Sequence, residues 1–241
     1  MIDPRQPDDT GRIVGLLLDN KAGLEDFDKI DAAAVQCCMA GFHDLLASPP
    51  PGRMDYAYLK KIHRILFKDL WPWAGKDRQD LGLQGGLRKN GMANHFTASP
   101  DIKKEARRIF CQNSIDPLFC PISIEKFTGG MAWLWNRMNC LHPFIEGNGR
   151  STRVFLTELA RRSGIRFIAD LVPHQGIIEA SAEGMRGNLR PFALLVRAEA
   201  ERHPENMAVF ERNRRLLRRG IFDPQAAAPL SEDEIAVIRR R

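Results

Sequence analysis

The sequence predicts an all-α fold, a helical bundle broken by one short β-hairpin. Three observations predict it. Apolar residues recur at helical spacing along most of the chain. Clusters of Pro and Gly punctuate those segments rather than interrupt them. One stretch, residues 75–97, carries Gly75, Gly82, Gly85, Gly86 and Gly91 among Gln, Asn and Lys, too much glycine for a helix. With 241 residues, 44% apolar and 27% charged, the chain suits one large domain or one domain with an appendage.

From Asp28 to Ala47, apolar side chains fall at Ile30, Ala34, Cys38, Phe42 and Leu45, and Ser48-Pro-Pro-Pro-Gly52 stops that helix. Asp55 is placed to cap a second helix with the face Leu59, Ile62, Leu66 and Leu70, ended by Trp71-Pro72. Residues 75–97 read as two short extended pieces and a turn, an exposed hairpin. Ser99-Pro100 reads as a cap with proline at the first helical position, opening a helix through Ile102, Ala106, Ile109 and Phe110. Ser123 opens the strongest helix, in which Phe127, Met131, Leu134, Met138 and Leu141 step by four and three to form one buried stripe. Pro143 breaks it. The next helix runs from about Gly149 to Arg162, with Phe155, Leu156 and Leu159 inward and Gly164 as its stop. Weaker helical segments follow at about 174–185, 191–202 and 204–219, then a linker over 222–229 and a basic tail over 231–241.

Composition excludes several classes of function. The longest unbroken apolar runs, such as Ile13 to Leu18, fall far short of the roughly 20 residues of a membrane span. The N-terminus lacks a basic start followed by an apolar stretch, so no cleaved secretory signal is expected. Five cysteines without C-x-x-C spacing suit buried free thiols in a reducing compartment, hence a cytoplasmic protein. The net charge of +6 is spread unevenly, from −4 over residues 1–60 to +5 over 61–120. No basic stripe with interleaved aromatics appears, so direct nucleic-acid binding is not expected.

The chemistry is concentrated in Leu141-His142-Pro143-Phe144-Ile145-Glu146-Gly147-Asn148-Gly149-Arg150-Ser151-Thr152-Arg153, between two predicted helices. Gly147 and Gly149 flank Asn148 where the second helix begins, so backbone N–H groups and the helix dipole together form an anion cradle. Arg150 and Arg153 project from nearly one helix face, which suits a di- or triphosphate. Glu146 is the only acid in the loop and a reasonable magnesium ligand beside phosphates. His142, with an ordinary pKa near ~6.5, can accept a proton at neutral pH. Phe144 reads as the packing residue that anchors the loop. The set reads as phosphoryl or nucleotidyl transfer to a hydroxyl.

The stretch resembles the signature of the Fic family, His-x-Phe-x-Asp/Glu-Gly/Ala-Asn-Gly/Lys-Arg-x-x-Arg, at every specified position. Pro72-Trp73-Ala74-Gly75 with Arg78 is similar to the family's Pro-Trp-Ala-Gly-x-x-Arg segment before a flap hairpin. Phe96, Ser99-Pro100 and Ile102 resemble the end of that flap, and Asn20-Lys21 the family's N-terminal helix region. The resemblance implies a Fic-type catalytic domain over residues 12–202; residues 203–241 read from their own pattern as a helical, basic extension of unknown role. It implies AMP transfer from ATP to a Ser, Thr or Tyr hydroxyl of a target protein. His142 would be the base, Glu146 the Mg2+ ligand, Gly147, Asn148 and Gly149 the anion hole, and Arg150 and Arg153 the clamps on the outer phosphates. Lys89 would be a flap contact to the docked target, or else a solvated charge. Kinase-type relatives read Ala–Asn–Lys where this chain has Gly147-Asn148-Gly149, which disfavours phosphoryl transfer; UMP or phosphocholine transfer, or an ATP-binding regulator without turnover, are the other readings. No Ser or Thr here has Glu four residues later, so the resemblance points to a toxin-like member controlled by a separate antitoxin supplying an inhibitory Glu to Arg153, or to one not inhibited by such a helix at all. Among such members, modification of bacterial topoisomerases is favoured over delivery into a host cell to modify GTPases.

Overall fold

The computed structural model describes residues 9–85, 87, 96–111, 115, 118 and 120–220, and the regular secondary structure among those residues is helical. The helices are α1 (Thr10–Leu18), α2 (Phe27–Ala47), α3 (Tyr56–Phe67), α4 (Ile102–Ile109), α5 (Ile124–Leu141), α6 (Asn148–Arg162), α7 (His174–Met185), α8 (Arg190–Glu201) and α9 (Asn206–Arg218). Short 3-10 turns cover Ser99–Asp101 and Ala169–Leu171. The chain divides into two compact units: Met1–Arg108 with Asn139–Thr152, and Ile109–Met138 with Arg153–Arg241.

In the first unit, α2 and α3 pack together. Asp26 and Asp55 cap them, each accepting a backbone N–H three residues on, at 3.1 and 2.9 Å. Gly41 lets the two backbones meet, since a Cβ there would lie 2.8 Å from Ile65 O and Leu66 Cα. Ile30, Ala34, Leu45, Leu59, Ile62 and Leu66 are buried as the spacing predicts. The helix expected to run to Trp71 ends at Phe67, because the Leu70 and Trp71 N–H groups turn back onto Phe67 O. Leu70 is nevertheless buried, just beyond the helix end. Trp71 and Trp73 stack at 4.8 Å, and their indole N–H groups donate to Leu17 O and Leu16 O at 3.4 and 2.8 Å, satisfying the end of α1.

Two readings of this unit need correction. The apolar run that includes Ile13 to Leu18 forms α1, a helix the pattern did not reveal. Its start lacks a side-chain cap because the Asp9 carboxylate accepts instead from Gln84 N and Gly85 N, both at 2.7 Å. Ser99 does not cap α4; its hydroxyl donates to Gly85 O at 2.7 Å. The core of the expected flap, including Lys89, lies outside the described residues, while Arg78 to Gly82 run as turns.

In the second unit, Ser123 caps α5 by accepting from Lys126 N at 3.2 Å. Phe127, Met131, Leu134 and Met138 are essentially unexposed, as are Phe155, Leu156 and Leu159 of α6. Phe127 meets Phe167 and Phe210 at 6.0 and 6.4 Å, and Trp135 meets Phe192 at 5.4 Å. Helix α6 closes at Gly164, φ +76°, with Ile165 N on Ala160 O at 2.9 Å. Helix α9 contributes Phe210 to this core, and Asn213 donates to Pro121 O at 2.9 Å. Residues 221–241 lie outside the described set. No helix among the described residues is long and apolar enough to cross a membrane.

Candidate active site

Residues 142–147 connect α5 to α6, and the first unit holds them from three directions. Pro143 cannot continue α5, and His142 leaves the helix at φ +43°, the one non-glycine residue among those described with positive φ. Such a backbone is sparsely populated and persists only when its surroundings determine it. Here the His142 carbonyl accepts from Arg78 Nε at 3.0 Å, and its half-buried imidazole stacks on Phe96 at 3.8 Å with planes 10° apart.

Phe144 is fully buried and stacks on His63 of α3 at 3.8 Å. His63 accepts from Gly75 N at Nδ1, 2.9 Å away, so its Nε2 carries the proton donated to Glu146 O at 3.0 Å. Burial pulls the His63 pKa down to about 3, so the ring is a neutral strut between α3, Gly75 and the loop. The Asn148 side chain closes the loop on itself. It accepts from Phe144 N at 2.9 Å and donates to Phe144 O at 2.8 Å.

Gly147 sits at φ +79°, and a Cβ there would lie 2.4 Å from Phe67. Its carbonyl accepts from Ser151 N at 2.9 Å, which makes it the cap of α6 and leaves the next amides, at Asn148, Gly149 and Arg150, without partners inside the helix. Those donors and the positive end of the helix dipole are the groups from which the sequence reading expected an anion cradle. Arg150 lies over the same Phe67 ring, 5.1 Å from its centroid, with Nη2 3.0 Å from Glu146 Oε1 and 3.7 Å from Asp31 of α2. Its Nη1 is buried without a hydrogen-bond partner. Glu146 is 48% exposed at its side chain, and the same oxygen that meets Arg150 accepts from Gly147 N at 2.7 Å.

The structure therefore gathers His142, Phe144, Glu146, Gly147, Asn148, Gly149 and Arg150 in one unit. Arg153, on the next turn of α6, belongs to the other unit, where its Nε meets Asp170 Oδ1 at 2.5 Å. The sequence reading missed His63, Phe67 and the part played by Arg78. A signal for the first two was present: His63 and Phe67 are four residues apart and widen the apolar face of α3 beside Ile62 and Leu66. Among the described residues no group of three or more His, Cys, Asp or Glu could hold a metal ion by itself.

The Fic/DOC family pattern matches residues 53–160. The chain is 30% identical over 183 residues to y4lH of Sinorhizobium fredii strain NGR234, a probable protein adenylyltransferase, covering 75% of this chain and 90% of that protein. It is 29% identical over 214 residues to the protein adenylyltransferase VbhT of Bartonella schoenbuchensis, covering 89% of this chain but 41% of VbhT. The crystal structure of BepC, a VirB-translocated effector of Bartonella tribocorum with bound AMPPNP, is similar at a TM-score of 0.69 and 27% identity, over 75% of this chain and 90% of that one. Motif, helical fold and relatives agree: this chain belongs to the Fic/DOC family.

Proposed function

We propose that this chain is a protein adenylyltransferase, moving AMP from ATP to a Ser, Thr or Tyr hydroxyl of a target protein. The observation that carries the reading is the loop itself, in which a strained, doubly held His142 precedes a glycine-capped helix N-terminus with Arg150 beside it. The names of the similar proteins and the nucleotide bound to BepC support the same reading.

In this mechanism the amides after Gly147 bind phosphate oxygens, and Arg150 and Arg153 hold the outer phosphates. His142 removes the proton from the acceptor hydroxyl, whose oxygen forms a bond to the α-phosphorus. The bond from that phosphorus to the α,β-bridging oxygen breaks, and pyrophosphate leaves. Glu146 fits a magnesium site of the phosphate-assisted kind: it is one exposed carboxylate beside the cradle, and magnesium takes one or two carboxylates plus phosphate oxygens. The ion would neutralise phosphate charge there. Target docking is assigned to the flap that contains Lys89, by addition of an extended strand. The catalytic part is taken as residues 12–202.

The finer proposal is toxin-like action under a separate antitoxin. That partner would present a Glu to Arg153, a guanidinium that already donates to the Asp170 carboxylate. Incubation of the purified chain with α-labelled ATP and a bacterial lysate tests the activity: a labelled protein band should appear and should vanish with His142→Ala. A band of equal strength with that variant would remove His142 from the mechanism, and no band in any lysate would count against the transfer.

A further inference from the structure

Arg78 is fully buried, and all five of its guanidinium N–H groups find acceptors. Two go to the end of α5: Nε to His142 O at 3.0 Å and Nη2 to Leu141 O at 3.4 Å. Its backbone N–H adds Pro143 O at 2.8 Å, so three successive carbonyls around the catalytic histidine accept from one residue. The remaining three bonds go to Gly85 O at 3.3 Å, Ser99 Oγ at 3.1 Å and Thr97 O at 2.6 Å. Those residues flank the stretch 88–95, and the segment they belong to also holds the histidine: Phe96 stacks on the imidazole, and Thr97 N meets Cys140 O at 3.0 Å.

A buried cation with no carboxylate among its direct partners is an expensive way to tie loops together. A plain structural tie needs one or two bonds. Five donors converging on the left-handed turn at His142 and on the two ends of a neighbouring segment instead specify a geometry, because the planar guanidinium fixes its acceptors in one plane.

We propose that Arg78 is the positioning residue of the base: it holds the His142 backbone at positive φ and keeps the imidazole in register with the segment carrying Phe96 and Thr97. This rests on the transfer reaction proposed above, with His142 as its base. Arg78 touches neither nucleotide nor acceptor, and it acts through the direction in which the ring presents its nitrogen. An imidazole displaced by about 1 Å loses on the order of 100-fold in rate, even when the nucleotide is still bound.

The test compares Arg78→Lys, which keeps the charge and loses the fork, with wild type. The expected result is at least a ~10-fold lower kcat for transfer from α-labelled ATP, with affinity for a non-hydrolysable ATP analogue within about threefold. In a His142→Ala background the same change should produce no further loss, because a residue acting through His142 has nothing left to position. Equal losses in both backgrounds, parallel losses of affinity and rate, or a kcat within about twofold of wild type would each overturn the proposal. Should Arg78→Lys fail to fold, Ser99→Ala takes its place. It removes one acceptor of Arg78, lies away from the bonds to His142 in the structure, and should lower transfer about threefold or more; a wild-type rate would overturn the proposal. If the wild-type chain transfers nothing, the function itself has failed, and NMR of the His142 imidazole still decides the positioning role. Its resonances should shift or split in Arg78→Lys, and unchanged resonances would overturn it.

Discussion

The two units have interiors of different kinds. The second is held mainly by rings and aliphatic side chains: Phe127, Phe167 and Phe210 meet around α5, and Trp135 meets Phe192, with the buried amides of Asn206 and Asn213 tying α9 to Arg166 and Pro121. The first buries fully a histidine, an aspartate and an arginine, His63, Asp77 and Arg78, together with Ser99. Each of those side chains is spent on irregular backbone or on another polar group. His63 serves Gly75 and Glu146, Arg78 serves Leu141, His142 and three partners beyond, and Asp77 accepts from Asp80 N at 2.8 Å and from the Tyr56 hydroxyl at 2.8 Å. Helices satisfy their own backbone, so apolar contact suffices between them. An irregular loop cannot satisfy its own backbone, and side chains have to do so from outside. The polar interior is thus the structural counterpart of the irregular loop at residues 142–147.

The contrast makes graded predictions. The largest effect is expected in the apolar unit. Phe127→Ala, which removes a fully buried ring, should destabilise by about 3–5 kcal/mol in denaturant melts, and a cost under about 1 kcal/mol would show that the stripe of α5 is not the core. Next is His142→Ala, which should lower transfer by at least ~100-fold, roughly 2.7 kcal/mol of barrier. Its melting temperature should stay close to wild type.

Asn148→Ala sharpens the comparison further. It leaves the Phe144 N–H and carbonyl buried without their partner, and should cost about 1–3 kcal/mol of stability while weakening nucleotide binding, read by calorimetry with an ATP analogue. Normal stability and binding would mean that the loop does not depend on that clasp. A further effect is a pH dependence. The folded pKa of His63 lies at about 3, below the ~6.5 of an unfolded histidine, because burial excludes the charged ring. Between those values the unfolded chain binds the extra proton, so its contribution is complete above about pH 6.5 and is lost as pH falls toward 3. Stability should decline by up to about 1.4 kcal/mol per pH unit over that window, and His63→Gln should flatten the slope. An equal slope in the variant would assign the pH dependence elsewhere.

How far the sequence was legible follows the same division. The stripe of α5, the helix starts at Asp55 and Ser123, the stop at Gly164 and the extent of α6 are local: each depends on spacing or on a residue one turn away, and those patterns can be read along the chain. The motif loop was legible as chemistry because its residue types are consecutive. The supports were not legible, because their partners are far apart in sequence. Arg78 reaches residues 63 and 64 positions away, and Asp9 reaches Gln84 and Gly85. Asn148 read as part of an anion hole, yet its side chain is committed to Phe144, which leaves its backbone N–H for that role. Helix α1 is poorly legible because none of its residues is buried, so its apolar side chains form no core-facing stripe.

In the proposed reaction the glycine-capped loop presents the α-phosphorus of ATP to an acceptor oxygen activated by His142. Parallel reactions with ATP labelled at the α or the γ phosphorus test it most directly. Label on protein is expected from α-labelled ATP, none from γ-labelled ATP, and none from either with His142→Ala. Label carried over from the γ position would contradict it.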